Sequence, residues 1–249
     1  MNPYMIRGVN LTQGLPKLCV PLMPAGAAAV PALCAALKDC PFDLVEWRVD
    51  ALGDPGEWEE TLAALRHALP DAPLLATVRT EKEGGQATLS DRDYFALLRR
   101  LIRSRAVDAV DIEYFHEEAL REDALHMARE AGLPVVMSSH DFQRTLPEDE
   151  MAARLTAMQK GGCIAKLAVM PRRPEDVLAL LAATLRVRAA HPDRPVITMS
   201  MGALGAVSRL AGETFGSALT FGTAGEASAP GQLDARLLAA VLRALHGGQ

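Results

Sequence analysis

The stretch DLVEWRVD, residues 43–50, decides how the chain is read. A β-strand shows residues i, i+2 and i+4 on one face. One face here carries Glu46, Arg48 and Asp50, and the other Val45, Trp47 and Val49. Two explanations fit. Either an exposed edge strand presents a solvated charged face, or a strand buried on both sides lines a polar site inside the fold. The surrounding chain distinguishes them.

Seven further short apolar runs have the length and composition of strands. They are KLCVPL (17–22), LLATVRT (74–80), AVDIEYF (109–115), PVVMSSHD (134–141), CIAKLAVM (163–170), PVITMSM (195–201) and GSALTFG (216–222). The segments between them have helical patterning. In 54–69, Asp54 is placed to cap and Pro55 to occupy the first helical position. In 90–106, Ser90 caps, with Asp93 three residues on. The segment 174–191 opens on Pro174 with acids in its first turn, and 232–248 ends on glycine. Eight strands alternating with eight helices imply parallel βαβ units, and 249 residues is the size of a single (β/α)8 barrel spanning 1–249. A doubly wound open sheet is the alternative, but no GxGxxG follows the first strand.

Parallel strands buried on both faces should be apolar throughout. Several of these are not. Thr77 shares a face with Arg79, Asp111 with Glu113 and Ser138 with His140, and Lys166 stands between apolar neighbours. A charge facing a barrel interior is costly unless paired or solvated at the mouth. Arg48, Arg79, His140 and Lys166 all fall at or near the C-terminal ends of their strands, where barrel enzymes place their sites. A purely structural network of buried ion pairs is the competing explanation, but it has no need of a lysine and a histidine. Asp111 and Glu113 raise the question of a metal, and no matching histidine cluster accompanies them. Gly202 and Gly205 suit either a phosphate cradle or a strand-to-helix turn. The other histidines, His67, His116, His126, His191 and His246, fall in helices or at helix junctions and are expected to be solvated.

Composition narrows the class of function. The net charge is -5 and no basic tract stands out, which disfavours nucleic acid as a partner. No apolar run approaches the roughly 20 residues needed to span a bilayer, so no membrane association is expected. The first sixteen residues lack the apolar core of a signal peptide, and the expected location is the cytoplasm. Cys19, Cys34, Cys40 and Cys163 form no CxxC pair and are expected as buried free thiols.

Taken together, EWRVD (46–50), TVRTEKEGG (77–85), SSHDF (138–142), IAKLAVMP (164–171), MSMGALGAVSR (199–209) and FGSALTFGTAGEASAPGQ (215–232) resemble the type I 3-dehydroquinate dehydratases, the Schiff-base enzymes of the shikimate pathway. The resemblance runs from the second strand to the last helix. It implies that Lys166 forms an imine with 3-dehydroquinate, that His140 is the general acid and base, and that Glu83 pairs with His140. It further implies that Glu46, Arg48 and Arg79 contact substrate hydroxyls, that Arg209 takes the carboxylate, and that Ser228 and Gln232 come from a loop covering the ligand. That loop, 222–232, is expected to be a mobile lid. Neither a metal nor an organic cofactor is implied, since the lysine itself supplies the electron sink. A homodimer is implied. Pro21 stands where members carry a serine, which puts a hydroxyl contact from this position in doubt and touches no step of the chemistry. The rivals are another Schiff-base barrel lyase, such as a class I aldolase, and a non-catalytic barrel that binds an acidic metabolite.

Overall fold

The computed structural model describes residues 2–225 and 227–247. Eight parallel strands form its centre: β1 (Lys17–Leu22), β2 (Leu44–Arg48), β3 (Leu74–Thr77), β4 (Ala109–Glu113), β5 (Val135–Asp141), β6 (Ile164–Val169), β7 (Val196–Ser200) and β8 (Leu219–Thr223). Each pairs with the next in sequence up to β7, and β8 pairs with β1. The ring closes between β7 and β8 through a parallel bridge, Val196 to Ser217, with Ala218 N donating to Val196 O at 2.8 Å. The short strand Leu233–Asp234 adds alongside β8.

Helices α1 (Val30–Ala36), α2 (Trp58–Ala68), α3 (Asp91–Ser104), α4 (Glu118–Glu130), α5 (Glu148–Met158) and α6 (Pro174–Ala190) wrap the outside. The last crossover holds two short helices, α7 (Ala206–Leu210) and α8 (Gly212–Phe215), and α9 (Ala235–His246) returns along the barrel. Local chemistry sets several starts. Ser90 accepts from Asp93 N and Asp234 from Arg236 N and Leu237 N, each satisfying donors that the first turn leaves unpaired. Asp54 caps a 3-10 turn, Pro55–Glu57, that leads into α2.

Strand parity sorts the side chains into two cores. Val45, Trp47, Val110, Ile112, Ala165 and Leu167 face the helices and join one apolar layer with them. Cys19, Leu44, Leu75, Ala109, Val136, Ile164, Ile197 and Leu219 fill the lower barrel. Below them sits a feature that no strand pattern announced: the hairpin Met5–Ile6 and Val9–Asn10, whose Ile6 is fully buried in the same lower core. It plugs the N-terminal end of the barrel. With that end filled, the polar residues of the upper layers meet at the opposite mouth.

The strands are shorter than the sequence suggested at their C-terminal ends. The strand expected over 43–50 stops at Arg48 and turns into a 3-10 segment, Val49–Ala51; those expected over 74–80 and 109–115 stop at Thr77 and Glu113. The charged residues past these points are held by side-chain bonds rather than by the sheet. The choice left open at Gly202 and Gly205 resolves toward a turn. A Cβ on Gly205 would lie 2.3 Å from Ser200 O, so the chain folds back on its own strand there. Cys19, Cys34, Cys40 and Cys163 are free; Cys34 is only half-buried. No helix among the described residues is long and apolar enough to cross a membrane.

Candidate active site

Glu46, Thr77, Asp111, Ser138 and Lys166 meet in the barrel interior: Thr77 is the register partner of Asp111 and Ser138 that of Lys166, and side-chain bonds join the rest. Lys166 is buried. Its Nζ lies 3.4 Å from Glu46 Oε1 and 3.4 Å from Asp111 Oδ2, and 4.4 Å from the centre of the Phe221 ring. Thr77 Oγ1 donates to Glu46 Oε1 at 2.9 Å, and Ser138 Oγ to Asp111 Oδ1 at 2.6 Å. A single amine therefore faces two carboxylates that are themselves fixed by hydroxyls. Burial opposes the charge on Asp111, but Arg79 and Lys166 beside it hold its pKa below the ordinary carboxylate value.

One layer higher, Arg79 organises the mouth. Its Nη1 donates to Glu113 Oε1 at 3.0 Å and Ser138 Oγ at 2.9 Å, and reaches Glu83 Oε2 at 3.4 Å. Its Nη2 lies 2.9 Å from Asp111 Oδ1 as an ion pair, yet its N–H groups are not aimed at any acceptor. Arg79 thus lines the cavity while Nη1 bonds protein acceptors and the guanidinium as a whole pairs with Glu83, Asp111 and Glu113. Arg48 makes a two-pronged contact with Asp50, Nε to Oδ1 at 2.8 Å and Nη2 to Oδ2 at 2.6 Å. Asp50 also accepts from the Arg79 and Gln86 amides and so ties the turn after β3 to the end of β2. Burial works against the charged guanidinium of Arg48, but the bonds to Asp50 outweigh it and raise its pKa.

Glu83 sits in a 3-10 turn, Glu81–Glu83, and its Oε2 meets both the backbone N–H of His140 at 3.1 Å and His140 Nδ1 at 2.8 Å. The glycine that ends this turn, Gly84, has φ 80°, and a Cβ there would overlap the Phe142 ring at 2.2 Å. The Glu-Gly pair and the His-Asp-Phe stretch are therefore one packing unit, which holds the carboxylate against the imidazole. Burial pushes Glu83 up to about 8, with Arg79 opposing. Burial, then the cations Arg79, Lys166 and Arg48, hold His140 well below an ordinary imidazole. A carboxylate partner alone raises a histidine pKa; here desolvation and three cations prevail. The pair shares one proton that leaves late, and a second is taken up only at low pH.

Arg209 closes the far side. It is 1% exposed, donates Nη2 to Pro230 O at 3.1 Å and Nη1 to the Met199 sulfur at 3.7 Å, and leaves Nε without a partner. Among the described residues no carboxylate pairs with it, and burial lowers its pKa to about 10. Pro230 O also accepts from Gly202 N at 3.1 Å. That docks the loop carrying Ser228 and Gln232, which bond to each other: Ser228 N to Gln232 Oε1 at 2.8 Å and Gln232 Nε2 to Ser228 Oγ at 2.9 Å. Residue 226 of the expected lid lies outside the described residues.

One cavity gathers the candidate reactive and binding groups. Glu46, Arg48, Arg79, Glu83, His140, Lys166, Arg209, Ser228 and Gln232, every site residue read from the sequence, line it together. So do Phe142, Met199, Met201 and Phe221, apolar walls to which no single strand pattern points. Asp50 stands out in the sequence only as part of the charged face, and its clamp on Arg48 depends on a turn no strand rule supplies. His116 is a correction. It was expected to be solvated, yet its side chain is 5% exposed and lies between Asp91 and Glu113, because the loop after β4 tucks it against the Tyr94 ring. His67, His126 and His246 are exposed and His191 half-buried. Glu113 and Asp111 direct their oxygens to Arg79, Lys166, Ser138, Thr80 and His116.

A family model described as type I 3-dehydroquinase matches residues 18–249. A 3-dehydroquinate dehydratase of Syntrophotalea carbinolica is 46% identical, with 99% of each chain covered, and one of Listeria welshimeri is 44% identical over 99% of each. The crystal structure of a type I 3-dehydroquinate dehydratase from Clostridium difficile superposes with a TM-score of 0.93 at 38% identity, covering 98% of both chains. The chain belongs to the type I 3-dehydroquinase family.

Proposed function

We propose that this chain dehydrates 3-dehydroquinate to 3-dehydroshikimate through an imine on Lys166. The observation that carries the reading is the content of one cavity: a buried amine, an imidazole held neutral, and a buried guanidinium with no carboxylate of its own among the described residues. Arg209 offers its planar fork to the substrate carboxylate, which fixes the ring against the barrel mouth. Lys166 passes one proton to the neutral His140 and its free amine attacks the ketone carbon; His140 returns that proton to the carbinolamine hydroxyl, which leaves as water and gives the iminium. The iminium draws electrons from the adjacent C–H bond, and His140 takes that proton at the ring nitrogen not facing Glu83. The electron pair moves into the enamine and then expels the β-hydroxyl, which leaves as water with the proton returned by His140. Water then hydrolyses the conjugated imine and frees Lys166. A single group serving as base and then acid acts from one side of the ring, so proton and hydroxyl depart syn. Glu46 and Arg48 meet substrate hydroxyls, while Arg79 chiefly holds the carboxylates around the reacting centre.

Ser228 and Gln232 contact the ligand from the 222–232 loop, which excludes water from the iminium. The whole chain acts as one catalytic domain, as a cytoplasmic homodimer in keeping with the family resemblance; sedimentation reads the assembly directly. The reaction is tested by following the enone absorbance on adding 3-dehydroquinate, and by borohydride reduction during turnover. The mass increment is expected on the peptide carrying Lys166. Its appearance on Lys82 or Lys160 would sink the assignment, and heat of binding without turnover would favour a non-catalytic barrel.

A further inference from the structure

The proposed reaction employs Glu83 and His140 but leaves out a buried histidine two links away. His116 follows β4, and its two ring nitrogens face two carboxylates: Nδ1 lies 2.9 Å from Asp91 Oδ1 and Nε2 3.2 Å from Glu113 Oε2. A neutral imidazole has one N–H and can serve only one of them. Both carboxylates are held as anions. Asp91 accepts the Glu117 amide at 2.7 Å, and Glu113 accepts the Thr80 amide, the Thr80 hydroxyl and Arg79. Only the doubly protonated ring satisfies this arrangement.

Glu113 Oε1 in turn receives Arg79 Nη1, which reaches Glu83 Oε2, which holds His140 Nδ1. We propose that His116 is a positioning residue for the His140–Glu83 pair: as an imidazolium it fixes Glu113, Glu113 fixes Arg79, and Arg79 sets the charge felt by the pair. The inference rests on the assignment of His140 as acid and base. Other groups around the ring support it. From α3, Tyr94 stacks on it at 4.2 Å and Phe95 meets it edge-on at 5.5 Å; from α4, Arg121 reaches the His116 carbonyl at 3.5 Å; Lys82 lies near Asp91. Burial works against a charged ring here, yet its bonds to Glu113 and Asp91 raise its pKa. On Glu113, burial is opposed first by the bond from His116 and then by Arg79.

Loss of the cation leaves Glu113 undercompensated and makes the mouth more negative, so the pair gives up its shared proton less readily. His116→Leu should therefore move the acidic limb of the kcat/KM profile upward by about half a pH unit or more. It should also lower kcat about tenfold, the low end for positioned acid–base groups, with borohydride still labelling Lys166. Phe95→Leu loosens the same ring packing without touching the chain of bonds and should leave the limb in place. An unmoved limb would overturn the inference, and so would an equal shift in Phe95→Leu, for which loosened packing alone would account. If His116→Leu fails to fold, ring 15N shifts of the unaltered protein decide. Two protonated nitrogens on His116 at neutral pH are expected, and a neutral ring refutes the role. Turnover and Lys166 labelling by the unaltered protein test the parent reading separately.

Discussion

A guanidinium buried without a counter-charge is an unusual expense for a fold. Arg209 contributes no ion pair among the described residues, and burial depresses its pKa to about 10. A base whose pKa falls on folding costs stability at every pH below the folded value, because only the folded state resists the proton. A bound carboxylate removes that cost. Arg209→Ala should accordingly leave the empty protein as stable as before or more so, while weakening substrate binding by about 1.5–3 kcal/mol. KM would rise roughly 10- to 100-fold, and the thermal shift given by substrate carboxylate would vanish. An unchanged KM would remove Arg209 from the site. Glu83→Gln tests the neighbouring pair from the other direction. Burial raises the Glu83 pKa to about 8, so in the unaltered enzyme the basic form of the pair develops as pH rises toward that value. With the carboxylate gone, His140 titrates alone at its depressed value, and the acidic limb should move to lower pH, opposite to His116→Leu. A limb that stays fixed would mean that Glu83 does not share His140's proton.

At the scale of elements, the loop 222–232 is the segment whose sequence and structure say the most different things. Its composition, three glycines and three alanines before Gln232, predicts loose tethering. Among its described residues, polar contacts at Pro230 and within the Ser228–Gln232 pair dock it. Polar contacts of this kind are replaceable by water, so local opening is expected at small free energy. Amide exchange across 222–232 should slow on saturation with substrate or on reduction of the imine at Lys166. Equal exchange in free and saturated protein would leave the loop as a plain connection. The same scale explains why the strands end earlier than their patterning predicts. Asp50 and Arg79 continue the period-2 charge pattern past Arg48 and Thr77, but Asp50 leaves the ladder to hold Arg48, the Arg79 amide and the Gln86 amide. Alternation reports a preference for a face, not the last ladder bond.

For the whole molecule, the barrel divides labour along its axis. The lower interior is apolar and sealed by the hairpin carrying Ile6; the upper interior is polar and reactive. Ile6→Ala should cost about 2–5 kcal/mol, the range for a fully buried aliphatic cut to a methyl group, and leave KM and the pH profile unchanged at temperatures where the protein is folded. A shift in KM would mean that the plug and the mouth are mechanically linked. The alternation of strand and helix, the inward parity of Glu46, Arg48, Asp111, Ser138, His140 and Lys166, and the order of the motifs were all legible in the chain itself. Such features are local: periodicity and turn chemistry repeat within a few residues and are written directly in the sequence. What only the tertiary structure decided is which groups meet. The Arg79 fan across three carboxylates, the burial of His116 between Asp91 and Glu113, the seating of Arg209 against Met199 and Pro230, and the hairpin beneath the barrel each join residues from different strands or loops. Their distances depend on barrel closure and on turns between the strands, and no spacing along one segment carries that information.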